Sequence, residues 1–87
     1  MQERDSLEYY FVSTGFYDLL PVALNLIRTL GFTLEEAVEA ICKVADKARM
    51  YPPTKNRAAW FTNVFKEKLY EARAEIFVYK KYKCLLL

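Results

Sequence analysis

The chain of 87 residues contains no histidine, two cysteines, two glycines and three prolines. Without histidine, and with only two widely separated cysteines, it lacks the ligand set of a zinc site and the most common general base. It also has no glycine-rich phosphate loop, and no serine or cysteine stands in a nucleophile context. These absences argue against an enzyme, a bound metal, a cofactor or a small-molecule substrate.

The scarcity of glycine and proline leaves few turns, which favours helices joined by short connections. No run of about 18 apolar residues is present, so we expect no membrane span. The N-terminus lacks the charged-then-apolar layout of a signal peptide, and two cysteines do not make a disulfide framework. We therefore expect a cytoplasmic protein in which Cys42, near the apolar face of a helix, is a buried thiol.

Apolar residues make up 54% of the chain and aromatic residues 16%, enough for a compact core with apolar side chains to spare. The pattern predicts a single all-α domain, residues 1–87, of three or four helices with a long C-terminal helix. The first helix begins near Ser6 and weakens or breaks at Ser13–Gly15. The second spans about 17–30, with Pro21 either in its first turn or at a kink, and Gly31 ends it.

The third helix begins at a capping box formed by Thr33 and Glu36, and it ends at Tyr51-Pro52-Pro53 because proline cannot continue it. Thr54 is the predicted N-cap of the last helix, which extends to about Lys83. Apolar residues repeat along one face of that helix at steps of three and four. They are Ala58, Phe61, Phe65, Leu69, Ala72, Ile76 and Tyr79.

Other cationic, aromatic and aliphatic residues of the last helix lie away from that stripe. Lys66, Arg73 and Lys80 recur every seventh residue with Tyr70 and Phe77 beside them, and a further side carries Trp60, Val64 and Val78. One small core cannot cover all of these faces. We therefore predict a homodimer or a partner helix, with an interface at Trp60, Tyr70, Phe77 and Tyr82. In the alternative interpretation, Trp60, Tyr70 and Phe77 pack against the other three helices.

Charge divides the chain in two. Residues 1–42 hold seven acidic and two basic side chains, whereas residues 43–87 hold eleven basic and four acidic ones. Cations interleaved with aromatic rings are typical of nucleic-acid contact, because cations neutralise phosphates and rings stack on bases. The predicted DNA-contacting residues are Lys55, Arg57, Lys66, Arg73, Lys80, Lys81 and Lys83. The alternative is that the acidic half offsets the basic half within the fold or across a dimer.

The last residues, KKYKCLLL, have the form of a geranylgeranylation signal at Cys84, with upstream lysines as the usual second membrane signal. Contact with a membrane is predicted only if Cys84 is lipidated. The alternative is an apolar chain end that packs on a neighbour.

Two stretches resemble known families. The segment that begins at NRAAWF and continues through VFKEKLYEARAEI, residues 56–76, resembles a helical segment of replication-associated proteins from plasmids and phages of Gram-positive bacteria. That resemblance implies a role in DNA replication or maintenance, with Arg57, Lys66 and Arg73 as phosphate contacts. No winged-helix or helix-turn-helix unit is evident before it.

The second resemblance concerns residues 26–41. Leu30, Gly31, Phe32 and Thr33, followed by Glu36-Ala37 and Ala40-Ile41, are similar to the loop and second helix of ubiquitin-associated domains. This implies an adaptor that binds ubiquitin through residues 30–32, although the helices here are longer than that family uses. A plain glycine helix stop, with Phe32 as a hydrophobic staple, accounts for the same residues.

Overall fold

The computed structural model describes the backbone of residues 3–86 and the side chains of residues 7–81. All regular structure in these ranges is helical. The elements are α1 (Glu3–Thr14), a 3₁₀ turn (Tyr17–Leu19), α2 (Leu20–Leu30), α3 (Leu34–Met50) and α4 (Arg57–Leu86). The predicted all-α class and the long C-terminal helix are confirmed.

Helices α1 and α2 end in the same way, each at a glycine in the left-handed conformation. Gly15 has φ of 84° and Gly31 has φ of 77°. After each glycine the amide of a phenylalanine, Phe16 or Phe32, donates at 2.9 Å to a carbonyl five residues earlier. This pattern closes the last turn and directs the phenylalanine into the core.

The helix starts agree only in part with the predicted ones. The capping box is confirmed, because Thr33 Oγ1 accepts from the Glu36 amide at 3.1 Å and Glu36 Oε1 accepts from the Thr33 amide at 2.7 Å. The predicted cap at Thr54 is wrong. Asn56 Oδ1 instead accepts from the Ala59 amide at 3.0 Å, so the chain stays non-helical for three residues after Pro53 and α4 begins at Arg57. Pro21 lies in the first turn of α2 and does not kink a longer helix.

The core forms where α1 and α3 meet the first half of α4. Phe11 of α1 makes edge contacts with Phe61 and Phe65 of α4, with ring centroids 6.0 Å apart in each pair. The predicted stripe on α4 is confirmed at Phe61, Phe65, Leu69 and Ala72, all fully buried. Among the described side chains, the other large ones that are fully buried are Leu7, Ile41 and Val44.

The predicted buried stripe differs from the observed one in two ways: its two end residues are exposed, and one residue outside it is buried. Ala58 and Tyr79 are exposed, and Val64, which was expected to lie on another face, is buried. The reason for Tyr79 is length: α4 has 30 residues and α3, its main neighbour, has 17, which correspond to about 45 Å and about 25 Å. The second half of α4 is therefore only partly covered: α3 contacts it at Glu75 and Lys80, and the end of α4 extends past α3.

Candidate interaction surface

Arg57, the first residue of α4, holds the loop that follows α1. Its Nη2 donates to the Gly15 carbonyl at 2.6 Å, and its Nη1 donates to Asp18 Oδ2 at 2.6 Å. The guanidinium carbon lies 4.8 Å from the centroid of the Phe16 ring. We call this arrangement the first clamp.

Arg73 makes an equivalent arrangement, the second clamp, with the loop that follows α2. Its Nη2 donates to the Gly31 carbonyl at 2.9 Å, and its guanidinium carbon lies 4.0 Å from the centroid of the Phe32 ring. It also donates to both carboxylate oxygens of Glu36, from Nε at 2.8 Å and from Nη2 at 3.1 Å. A planar fork is the geometry that such a bidentate contact requires.

The two clamps are equally spaced in sequence. Gly15 and Gly31 are separated by the same number of residues as Arg57 and Arg73. Both arginines were predicted to contact phosphates, but the structure assigns their guanidiniums to intramolecular contacts. The repeated Gly-Phe pair with a matching arginine spacing was the available sequence signal, and it was not recognised as a repeat. DNA contact through the donors that remain stays a prediction.

The Glu36 carboxylate is the most perturbed acid in the described part of the chain. The Glu36 side chain is 11% exposed, and each of its hydrogen-bond partners favours the charged form. Hydrogen bonding from Arg73, reinforced by the amide and hydroxyl of Thr33, outweighs the opposing effect of burial and lowers the pKa of Glu36 to about 2. Glu36 is therefore ionised throughout the physiological range.

The glutamate row of α4 faces lysines and is compensated. Glu75 pairs with Lys43 at 2.7 Å, and Glu71 pairs with Lys68 at 2.8 Å. Glu67 has longer contacts, 3.8 Å to Lys47 and 3.5 Å to Lys68. These pairs offset the mutual repulsion expected at four-residue spacing and remove three lysines from the basic surface.

The remaining cations of the predicted DNA surface differ from the clamped arginines. Lys55, Lys66 and Lys81 are exposed, and no carboxylate of the described residues lies within 4.0 Å of their ammonium groups. Lys80 has one loose contact, 3.9 Å to the exposed Glu35. The side chains of Lys83, Tyr82 and Cys84 lie outside the described residues.

The predicted interface rings have different environments. Trp60 is half-buried and stacks on Phe16, with centroids 6.4 Å apart and planes at 14°. Tyr70 touches Phe32 edge-on at 5.1 Å but stays 52% exposed, and Phe77 is 66% exposed. Trp60 therefore belongs partly to the core, whereas Tyr70 and Phe77 present ring surface to solvent.

These residues share one side of α4. With about 100° of rotation per residue, six cationic and aromatic residues fall within about 100° of the helix circumference. They are Lys66, Tyr70, Arg73, Phe77, Lys80 and Lys81. The three glutamates occupy a separate sector of about 80°, and the exposed Ala74 lies between the two sectors. We call the side with the six residues the cationic-aromatic face.

The remaining predictions concern Phe32, Cys42, metal binding and a membrane span. Phe32, central to the ubiquitin-associated interpretation, is buried beneath Arg73 and Tyr70 and cannot contact a partner. Cys42 is half-buried, and burial together with nearby Glu39 and Asp46 raises the pKa of its thiol. Among the described residues no group of three or more His, Cys, Asp or Glu side chains could hold a metal ion, and no helix is long and apolar enough to cross a membrane.

No protein-family model, no curated protein and no solved structure matches this chain.

Proposed function

We propose that this protein is a small non-enzymatic helical module that self-associates and binds DNA through the cationic-aromatic face of α4. The observation that carries the proposal is the separation of charge around that helix. Lys66, Lys80 and Lys81 lie with Tyr70 and Phe77 on one side, and all the acidic residues of α4 lie elsewhere. A DNA-associated role in regulation or replication is consistent with this face.

The phosphate backbone is the natural partner of the exposed lysines. Lys66 and Lys81 have no carboxylate nearby among the described residues, so binding a phosphate breaks no existing pair. Lys80 gives up only an exposed contact to Glu35, which contributes about 0–1 kcal/mol. Arg73 would have to leave the buried Glu36, and Arg57 would have to leave both Asp18 and the Gly15 carbonyl. We therefore assign DNA contact first to the lysines.

Gel retardation of duplex DNA across a salt series tests this assignment. We expect retardation at low salt that weakens steeply as salt rises, because each phosphate contact adds about 0.9 to the slope of log affinity against log salt. The double variant Lys66→Gln/Lys80→Gln removes two contacts and lowers the slope by about 2. The control, Lys47→Gln/Arg49→Gln, removes the half-buried Lys47 and the exposed Arg49 from α3 and leaves the slope unchanged. Absence of retardation at low salt, or equal effects of the two variants, would overturn the proposal.

A protein-interaction adaptor that docks a partner helix is the second candidate. A shallow, almost wholly apolar hollow of about 440 Å³ is lined by Ala74, Glu75, Val78 and Tyr79 on the second half of α4. Val78 is 61% and Tyr79 67% exposed. Apolar docking is insensitive to salt, so a complex that persists at high salt without DNA would favour the adaptor.

A further inference from the structure

We infer that two copies of this chain pair antiparallel along the outward side of α4, about a two-fold axis between Glu75 and Ile76. The inference deepens the self-association part of the proposed function and rests on it. The contacting residues, which we call the seam, are Glu67, Tyr70, Ala74, Phe77 and Lys81.

The seam has the spacing of a helix-pairing surface. Its members follow one another at alternating steps of three and four residues, the pattern that lets side chains interlock between two helices. Around the helix it lies roughly opposite the stripe of Phe61, Phe65 and Leu69, which is buried against the subunit's own core. A second helix can therefore approach the seam while the rest of each subunit stays behind its own α4.

The sizes of the seam side chains indicate that the partner packed on the seam is a second copy of this chain. In the antiparallel register, Phe77 of one copy faces Ala74 of the other, so that a large exposed ring meets a methyl group, and the contact occurs twice. In a parallel pair Phe77 would meet Phe77 and Ala74 would meet Ala74, which leaves one position crowded and the other underfilled.

The charges within the seam itself support the same orientation. In the antiparallel register Lys81 faces Tyr70 of the other copy, whose ring can accept a cation on its face. Glu67 of that copy lies one helical turn from this Tyr70, so it adds a carboxylate near the ammonium group. A parallel pair would instead place Lys81 against Lys81 and Glu67 against Glu67. The seam residues of one copy therefore complement those of a second copy that runs antiparallel to it.

The antiparallel pair also arranges the basic surface. Lys66, Arg73 and Lys80 all lie on one flank of the seam, and Glu71 and Glu75 lie on the other. Antiparallel pairing puts the like flanks of the two copies side by side, so both cationic rows form one edge. Repulsion along that edge opposes pairing, and either added salt or a DNA backbone relieves it.

Distance measurement on the full chain tests the orientation. A spin label is attached at Asn63→Cys in a Cys42→Ser/Cys84→Ser background, and the distance between the labels of two copies is read by pulsed electron paramagnetic resonance. The antiparallel pair predicts labels about 38 Å apart along the helix axis, since 25 residues separate the two positions at about 1.5 Å each. A parallel pair predicts about 10 Å, the spacing of packed helices. The short distance, or no dipolar signal in protein shown to be dimeric by light scattering, would overturn the inference.

A size exchange provides an independent test. Phe77→Ala leaves a gap opposite Ala74, Ala74→Phe sets two rings against each other, and each is expected to weaken dimerisation about tenfold by analytical ultracentrifugation. The double variant Ala74→Phe/Phe77→Ala restores one ring against one methyl and should recover most of the affinity. Failure of the double variant to exceed both single variants would contradict the register.

Failure of the pairing and failure of DNA binding remain distinguishable. A chain that is monomeric at all concentrations, with and without DNA, refutes the pairing even if Lys66→Gln/Lys80→Gln still lowers DNA affinity. A dimer with the long label distance that does not retard DNA supports the pairing and refutes the DNA part of the proposed function.

Discussion

Arg73 of α4 and Glu36 of α3 form a bidentate ion pair, with donor–acceptor distances of 2.8 and 3.1 Å, across elements far apart in sequence. The same Glu36 accepts from the Thr33 amide at 2.7 Å and so completes the N-terminal cap of α3. One carboxylate therefore both starts a helix and fixes that helix to α4. Beyond this pair, the described contact that joins α4 to α3 on this side is the looser one between Lys80 and Glu35, 3.9 Å apart.

The Glu36 pair makes stability depend on acid pH. Because the folded-state pKa is lowered from 4.5 to about 2, the stabilising contribution is complete above pH 4.5 and is lost as pH falls from there toward 2. Urea unfolding at a series of pH values should show the free energy of unfolding decreasing across this window. Glu36→Gln should lower that free energy by about 1.5–3 kcal/mol at pH 7 and flatten the decrease. An unchanged pH profile in the variant would contradict the assignment.

Arginine at position 73 should not be replaceable by lysine. An ammonium group cannot donate in the planar fork that reaches both oxygens of Glu36, and it stacks less well on the Phe32 ring. We expect Arg73→Lys to cost about 1–2 kcal/mol of unfolding free energy, although the charge is kept. Lys66→Arg, at an exposed position of the same helix, is the matched control and should change stability by less than about 0.5 kcal/mol.

Substitution of Gly31 should lower the free energy of unfolding because of its left-handed backbone conformation alone. Its φ is 77°, and a Cβ atom built at this position meets nothing within 4 Å, so there is no steric contact to relieve. Gly31→Ala is therefore expected to cost about 1 kcal/mol, the penalty of the left-handed conformation for a side-chain-bearing residue. Gly31→Asn should cost less, because asparagine tolerates that conformation better. Equal stability of the alanine variant and the parent, measured by urea unfolding, would show that the loop can change conformation.

Local signals in the sequence predicted the helices well. The Thr33–Glu36 capping box and the glycine at the end of α2 act through neighbouring residues, so the sequence alone was enough to recognise them. The stripe of α4 was correct where α1 and α3 cover it. It failed at Tyr79 because periodicity does not show where the neighbouring helices end. The cap at Asn56 was missed because Thr54 fits the same pattern, and only the path of the chain after Pro53 decides between them.

The candidate surface was harder to predict, because the role of a cation depends on distant partners. Arg57 and Lys66 look alike in sequence, yet Arg57 reaches Asp18 and the Gly15 carbonyl whereas Lys66 stays exposed. In the sequence, the only sign that Arg57 and Arg73 have intramolecular roles is their spacing, which equals that of the two Gly-Phe pairs. That spacing can be interpreted only once the structure shows that α4 packs across the ends of α1 and α2.

Phe65 and Phe77 allow the core and surface roles of α4 to be separated by experiment. Phe65 is fully buried against Phe11 and Phe61, whereas Phe77 is 66% exposed on the same helix. Phe65→Ala should lower the free energy of unfolding by about 3–5 kcal/mol, because it removes buried ring surface and leaves a cavity. Phe77→Ala should change it by less than about 0.5 kcal/mol when the chain is studied as a monomer.

Helicity by circular dichroism, followed through urea unfolding at low protein concentration, measures both effects. A large loss for Phe77→Ala under these conditions would show that the ring is enclosed by its own subunit. Among the described residues, the outward side of α4 would then keep only the Tyr70 ring for a second copy or a DNA base. Intact folding combined with weaker self-association is the result that a surface role requires.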